Sequence, residues 1–303
     1  MKRILICGSN GLLGQRLALM LSTQTDYEVL NTSHHRTFVF DHKLFDFTQL
    51  DITRRSDVRS LVTSFQPDTI LNAAARSDVD WCEEHREDAW GVNVVGVENL
   101  VDAAKKVHAR LVHVSSDYVF DGKNCPYRED DRPNPLNYYG KTKLAGENAV
   151  RASGLPHAII RTIVVYGAGI GVRENFALWV VHNLRRHQPI SCETDQVSSP
   201  TSVADLALAV VRAFEFQEEG LFHVCGSDQL SRYEFALQIA EIFGLDPGLI
   251  EPRTSEGLAR PARRPPVTGF ITLKAETALR FRPMGTRQGL SLLRRELQEG
   301  RWN

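Results

Sequence analysis

Several things are missing from this sequence, and each absence excludes something. Its longest apolar runs fall far short of the ~20 residues that a membrane-spanning helix needs, so no span is expected. Charge of one sign is not in excess: 36 Lys and Arg stand against 37 Asp and Glu, a net of −1. No global field therefore recruits nucleic acid or an anionic membrane. The five cysteines (Cys7, Cys82, Cys125, Cys192, Cys225) are scattered, with no Cys-x-x-Cys. They read as reduced thiols of a cytoplasmic protein. The histidines show no zinc-like spacing, and Cys82-Glu83-Glu84-His85 reads as a helix face, so no metal is expected. Met1-Lys2-Arg3 leads into only Ile4-Leu5-Ile6-Cys7 before Gly8, too short for a signal-peptide core and suited to a first strand. No internal repeat or low-complexity tract occurs. Lysine is scarce, 8 of the 36 basic residues, which gives weight to any lysine inside a motif.

What is present has a clear order. The first half alternates short apolar runs with longer helical patterns, which argues for a parallel sheet with covering helices. Strands are expected at Arg3–Cys7, Glu28–Asn31, Phe45–Asp51, Thr69–Ala73, Leu111–Val114 and Ala158–Ile163. Helices are expected at Leu12–Leu21, Ser56–Phe65, Asp88–Lys106 and Tyr139–Ala152. After about Tyr166 the alternation breaks down. Helical patterns at Phe176–Arg186, Val203–Phe216, Tyr233–Phe243 and Thr286–Gln298 are joined by polar or Pro/Gly loops, with a Pro- and Arg-rich loop over Pro252–Pro266. The expectation is an α/β protein: a Rossmann, doubly wound sheet in residues 1–166, completed by part of 200–224. A smaller, mainly C-terminal α/β substrate domain is expected in 167–303.

Two motifs carry chemistry. Gly8-Ser9-Asn10-Gly11-Leu12-Leu13-Gly14 follows the first strand and opens a helix. Its glycines suit a tight turn, close approach to a pyrophosphate and close helix–strand packing. The helix N-terminus offers free N–H groups to phosphates. At the end of the second strand, Asn31 to Arg36 carries no carboxylate for a ribose 2′-OH, whereas Arg36 can pair a 2′-phosphate. This favours NADP(H), with NAD(H) left open. Asp51 and Ile52 are placed to flank the adenine, and the small side chains of Ala73, Ala74 and Ala75 let the backbone pass close to the cofactor. The second motif is Tyr139 and Lys143, one helical turn apart on one face. A fixed cation within about 4–6 Å of a phenol lowers its pKa towards the working range, which makes the pair a poised acid/base.

Gly-x-x-Gly-x-x-Gly with a later Tyr-x-x-x-Lys resembles the extended short-chain dehydrogenase/reductase superfamily. Within it, the chain is most similar to the dTDP-4-dehydrorhamnose reductases. The segments that carry the likeness are Asn72–Ala75, Ser115–Gly122, Pro135–Glu147, Asp195-Gln196 and Pro261–Pro265. The resemblance implies reduction of a 4-keto sugar nucleotide, with Ser116 bonding the carbonyl, Tyr139 donating the proton and Lys143 holding the nicotinamide ribose. It implies substrate-lining roles for Ser77, Val79, Tyr118 and Asn175, a phosphate for Arg264, and support of the lysine by Asn93. Phe120 reads as a core aromatic. Where the family commonly carries a sugar-lining tryptophan, this chain has Val164, so the sugar stays open. Asp117 is followed by Tyr118 rather than the Glu typical of 4,6-dehydratases. Two alternatives remain: an epimerase of the same fold, and a non-catalytic binding partner resembling the regulatory subunit of methionine adenosyltransferase. A homodimer is the default assembly.

Overall fold

The computed structural model describes residues 1–41, 43–300 and 302. The first half runs β1 (Lys2–Cys7), α1 (Leu12–Ser22), β2 (Tyr27–Ser33), β3 (Asp46–Gln49), α2 (Arg55–Phe65), β4 (Thr69–Asn72), α3 (Val79–Glu84), α4 (Arg86–Trp90), α5 (Gly96–Val107), β5 (Arg110–Ser116), α6 (Tyr138–Arg151) and β6 (His157–Thr162). With the later strand Gly220–Val224 they build one parallel seven-stranded sheet. Its order is Gly220–Val224, β6, β5, β4, β1, β2, β3. The order reverses between β4 and β1, which is the doubly wound Rossmann arrangement and the place where such sheets bind ligands.

Strand β1 shows why the sheet is buried on both faces. Successive side chains point to opposite faces. Ile4 and Ile6 join a core with α1 and helix Val203–Glu215, including Leu17, Leu21, Leu206 and Val210. Leu5 and Cys7 join the opposite core with α2 and α5, including Val58, Val62, Val97 and Leu100. A side chain of this size, fully removed from water, contributes roughly 1.5–3 kcal/mol. A third core lies outside the sheet, where helices Phe176–Arg185, Arg232–Phe243 and Thr286–Gln298 pack together around Tyr166, Val180, Phe235, Ile239 and Leu290. Among the described residues no helix is long and apolar enough to cross a membrane.

Two local expectations are corrected. The third strand is shorter than Phe45–Asp51, because Asp51 turns back on itself and accepts both the N–H and the hydroxyl of Thr53. The long helix Asp88–Lys106 is not uniform. A π-helical turn, Gly91–Val95, separates α4 from α5. It buries Asn93, whose amide accepts from Arg76 N at 2.9 Å and donates to Arg76 O at 3.0 Å. A π-turn of this kind commonly sits at a functional site.

Helix α6 is placed by contact of backbone on backbone. Asn137 caps it, accepting the Gly140 N–H at 2.8 Å. A Cβ on Gly140 would lie 2.0 Å from Tyr118 O, and one on Gly146 would lie 2.6 Å from Asn93 O. Gly140→Ala is expected to push α6 off the sheet end and cost about 2 kcal/mol or more of stability. Urea denaturation checks this; a wild-type midpoint contradicts it.

Candidate active site

The carboxyl ends of β1, β4, β5 and β6 lie side by side along one edge of the parallel sheet. On the cofactor side, Gly8 has φ +83°, in the left-handed region that glycine adopts without strain. A Cβ there would lie 2.7 Å from Ala74 N. One on Gly14 would lie 2.1 Å from Gly8 O. The loop is therefore packed against its own helix and against Ala73–Ala74, with no side chain between. Gly11 caps α1 without a side-chain hydrogen bond, and the first turn holds no acidic residue. The first N–H groups of a helix lack intrahelical partners, so this end suits an anion. Asn10 ties the loop to the next connection, donating to Thr37 O at 2.8 Å and accepting from Val39 N at 3.3 Å. Leu12 and Leu13 are half-buried, as is Asp51, while Ala75 is exposed.

Arg36 is exposed after β2, next to His34 and His35, whose tilted rings lie 3.9 Å apart. Burial lowers the His34 pKa, and His35 and Arg76 lower it further. This corner is poor in negative charge apart from Asp51. The Ile52 side chain is buried in the core against Gly96, where an added Cβ would meet it at 2.7 Å.

On the chemical side, the structure brings Ser116, Tyr139 and Lys143 together. Ser116 ends β5, and its hydroxyl lies near enough to the Tyr139 phenol to oppose the rise that burial causes in the phenol's pKa. Ser116 Oγ also accepts from Tyr118 N at 3.2 Å and donates to Asp117 Oδ1 at 3.0 Å. Lys143 Nζ donates to Val114 O at 2.7 Å, so the lysine reaches across to β5. Asn93 acts on its neighbour, donating to Thr142 Oγ1 at 3.0 Å, while Thr142 Oγ1 donates to Tyr139 O at 2.8 Å. It steadies the turn that carries the lysine without touching the ammonium.

The acid/base balance differs from the expected one. Burial raises the Tyr139 pKa, the Ser116 hydroxyl opposes this, and Asp117 adds to the rise. The lysine is itself pushed down to about 8 by burial, against the pull of Glu147. Desolvation wins because both groups are nearly sealed, Tyr139 at 8% and Lys143 at 2% exposure. The phenol is thus held neutral, which is the form a proton donor needs.

The remaining positions divide. Val79 and Tyr118 pack around Tyr139, with the Tyr118 ring 5.8 Å away and edge-on. Ser77 is exposed nearby. Asn175 caps helix Phe176–Arg185, accepting from Leu178 N at 3.3 Å and donating to Gly167 O at 2.7 Å. Both ends of its amide are engaged in that cap. Arg264 forms a two-pronged ion pair with Asp80, at 2.9 and 2.7 Å. Phe120 is fully buried, stacked on Tyr127 at 4.0 Å. Val164 has φ +36°, strained for a β-branched residue, and its carbonyl accepts from Thr201 N at 3.1 Å.

Asp117, which follows Ser116, carries no expected catalytic or binding role from sequence. It is 2% exposed, and burial pushes its carboxyl up to about 6, opposed by hydrogen bonds from Thr268 and Ser116. A carboxyl raised above its unfolded value destabilises the fold once ionised, so stability is lost as pH climbs from about 4 to 6. Asp117→Asn is expected to raise stability at pH 7 by on the order of 2–3 kcal/mol, and to lose most of that gain below pH 4. Thermal melts at both pH values check this; equal shifts at both contradict it.

With this geometry in view, the comparisons with known proteins agree. The family model for the RmlD substrate binding domain matches residues 1–299. The Bacillus subtilis spore coat polysaccharide biosynthesis protein SpsK is 33% identical over 99% of this chain and 98% of its own. Bovine methionine adenosyltransferase 2 subunit beta is 35% identical over 87% of this chain and 78% of its own. The crystal structure of Bacillus anthracis dTDP-4-dehydrorhamnose reductase in complex with NADP superposes with a TM-score of 0.86. It is 31% identical, covering 98% of this chain and 100% of that one. The chain belongs to the RmlD substrate-binding-domain family.

Proposed function

We propose that this protein is an NADP(H)-dependent reductase of a 4-keto sugar nucleotide. The observation that carries the reading is a buried, neutral Tyr139 beside Ser116 and Lys143 at the end of β5, next to a glycine cradle that admits no side chain. Reduction of a ketone builds negative charge on its oxygen. Two O–H donors aimed at that oxygen stabilise the charge, and Tyr139 completes the alcohol. A bound nicotinamide supplies the hydride. Gly8, Asn10, Gly11 and Gly14 form the phosphate cradle, with Ala73 and Ala74 as its floor, and Lys143 holds the ribose. Arg36 and the His34–His35 corner favour the 2′-phosphate of NADP(H), and the related structure holds NADP.

Burial and Asp117 raise the Tyr118 pKa and the charges of Arg232, Arg264 and Arg260 oppose the rise, so three guanidinium groups lie near Tyr118. That field suits a phosphorylated substrate. In this reading residues 1–166 with Gly220–Val224 hold the cofactor and 167–303 mainly hold the sugar nucleotide. The five free cysteines suit a reducing compartment. The likeness to methionine adenosyltransferase 2 subunit beta favours a second reading, a non-catalytic subunit. A stable hetero-complex without turnover would support it.

NADPH oxidation across a panel of 4-keto sugar nucleotides tests the proposal. Turnover is expected, with Tyr139→Phe lowering kcat by about 10²–10⁴-fold and leaving NADPH affinity within a few-fold. If charged Lys143 is required, kcat/KM falls as pH rises through about 8. Tight NADPH binding with no turnover on any member of the panel contradicts the reading.

A further inference from the structure

We propose that residues 167–173 form a strap across the dinucleotide site, with Gln15 as the residue that positions it and the Arg173–Asp78 ion pair as its latch. The inference rests on the reading that the Gly8–Gly14 loop holds a dinucleotide. It concerns how that ligand enters and leaves, and not the reduction.

The path of the segment is the first support. It leaves the short strand Val165–Tyr166 and ends at Asn175, the cap of helix Phe176–Arg185. It starts beyond β6 yet touches the first turn of α1, which follows β1. An added Cβ on Gly167 would lie 3.7 Å from Leu12 Cδ1, and one on Gly169 would lie 3.1 Å from Gln15 Oε1. In the sheet, β5 and β4 separate β6 from β1. The segment therefore runs past the carboxyl ends of the strands between them, where doubly wound sheets bind ligands. Its far end, Arg173, reaches Asp78, which follows β4 and caps α3.

The two attachments differ in kind. Gln15 is fully buried. Its Nε2 donates to Asn10 O and to Ile170 O, both at 2.8 Å, and its Oε1 accepts from Ile170 N at 2.9 Å. One side-chain amide thus ties the glycine loop to the strap, with both its hydrogens and its oxygen in use. Ala168 is buried in the C-terminal core, and Ile170 packs against that core. This end is fixed. At the other end Arg173 Nη2 meets Asp78 Oδ2 at 3.0 Å, but the two side chains are 68% and 38% exposed. An exposed ion pair shifts an equilibrium by about fivefold at most, and salt screens it. Between the attachments Gly171 has φ +61°, and an added Cβ there would meet nothing within 4 Å. The strap bends in the open, at a residue that takes the left-handed conformation without strain. A buried anchor, an unpacked bend and a weak outer tie make a gate that opens at the Arg173 end.

Such a gate has its own kinetic signature. A closed strap blocks entry and exit alike, so loosening it raises kon and koff together and leaves Kd nearly unchanged. A side chain that held the ligand directly would change Kd instead. A long-range field would move kon in opposite directions on loss of Arg173 and on loss of Asp78, because the ligand is an anion.

Stopped-flow fluorescence of NADPH binding to the full-length protein tests this. Arg173→Gln and Asp78→Asn are each expected to raise kon and koff by about two- to fivefold, with Kd within about twofold of wild type. The asparagine keeps the cap of α3. The double change is expected to do no more than either alone, because both remove the same pair. Gln15→Leu is expected to speed amide hydrogen exchange in residues 168–173 and to weaken NADPH binding by about fivefold. If Gln15→Leu does not fold, the two latch variants carry the test. Tight NADPH binding with unchanged rates in both latch variants, or kon moved in opposite directions by them, overturns the strap. Wild-type exchange of the strap in a folded Gln15→Leu overturns the role of Gln15. A folded wild type that binds neither NADPH nor NADH overturns the dinucleotide reading itself.

Discussion

Helix α6 lies so close to the turn after β5 and to the π-turn Gly91–Val95 that no side chain fits at Gly140 or Gly146. Gly140 meets the Tyr118 carbonyl and Gly146 meets Asn93, each at a distance a Cβ would not tolerate. That closeness sets the Tyr139 phenol beside Ser116 and lets Lys143 reach the Val114 carbonyl. The same approach seals the site, and sealing sets the electrostatics. Position and protonation state are two results of one packing constraint.

Sealing also explains the cost of the site. Asp117, His113, Lys143, Glu147 and Arg161 are each at most 2% exposed. Groups of this kind are tolerated only when paired, hydrogen-bonded or neutralised. Here the histidine is neutral, the glutamate is held by arginines, and the lysine and aspartate are pushed towards their uncharged forms. The neutral phenol and the half-titrating lysine belong to one donor site for a developing oxyanion.

Much of this was legible in the sequence, for physical reasons. Apolar runs marked six strands because a parallel sheet buries both faces. The glycine loop and Tyr139–Lys143 showed themselves by spacing. Other features left weaker marks. The π-turn at Gly91–Val95 keeps the apolar pattern of a helix, so periodicity merges it with α4 and α5. The pairing of Arg264 with Asp80 joins residues far apart in the chain, which no local pattern encodes. The contact of Ile52 with Gly96 leaves no local mark, because the glycine has no side chain to announce it. Buried charge did leave a signal: Arg161 and His113 stand inside apolar strands, where each needs a partner. The balance between burial and a nearby cation at Tyr139 depends on depth, and spacing carries no depth.

The central claim is that α6 and Ser116 place a neutral phenol over a carbonyl oxygen while a nicotinamide reduces the carbon. The most direct measurement is a single turnover with NADPH carrying deuterium at the transferable position, followed by mass spectrometry and NMR of the product sugar. The account predicts one deuterium on the carbon that bore the ketone, with the label absent when Tyr139→Phe replaces the wild type under the same brief reaction. Product without the label, or no product from any 4-keto sugar nucleotide, would contradict it.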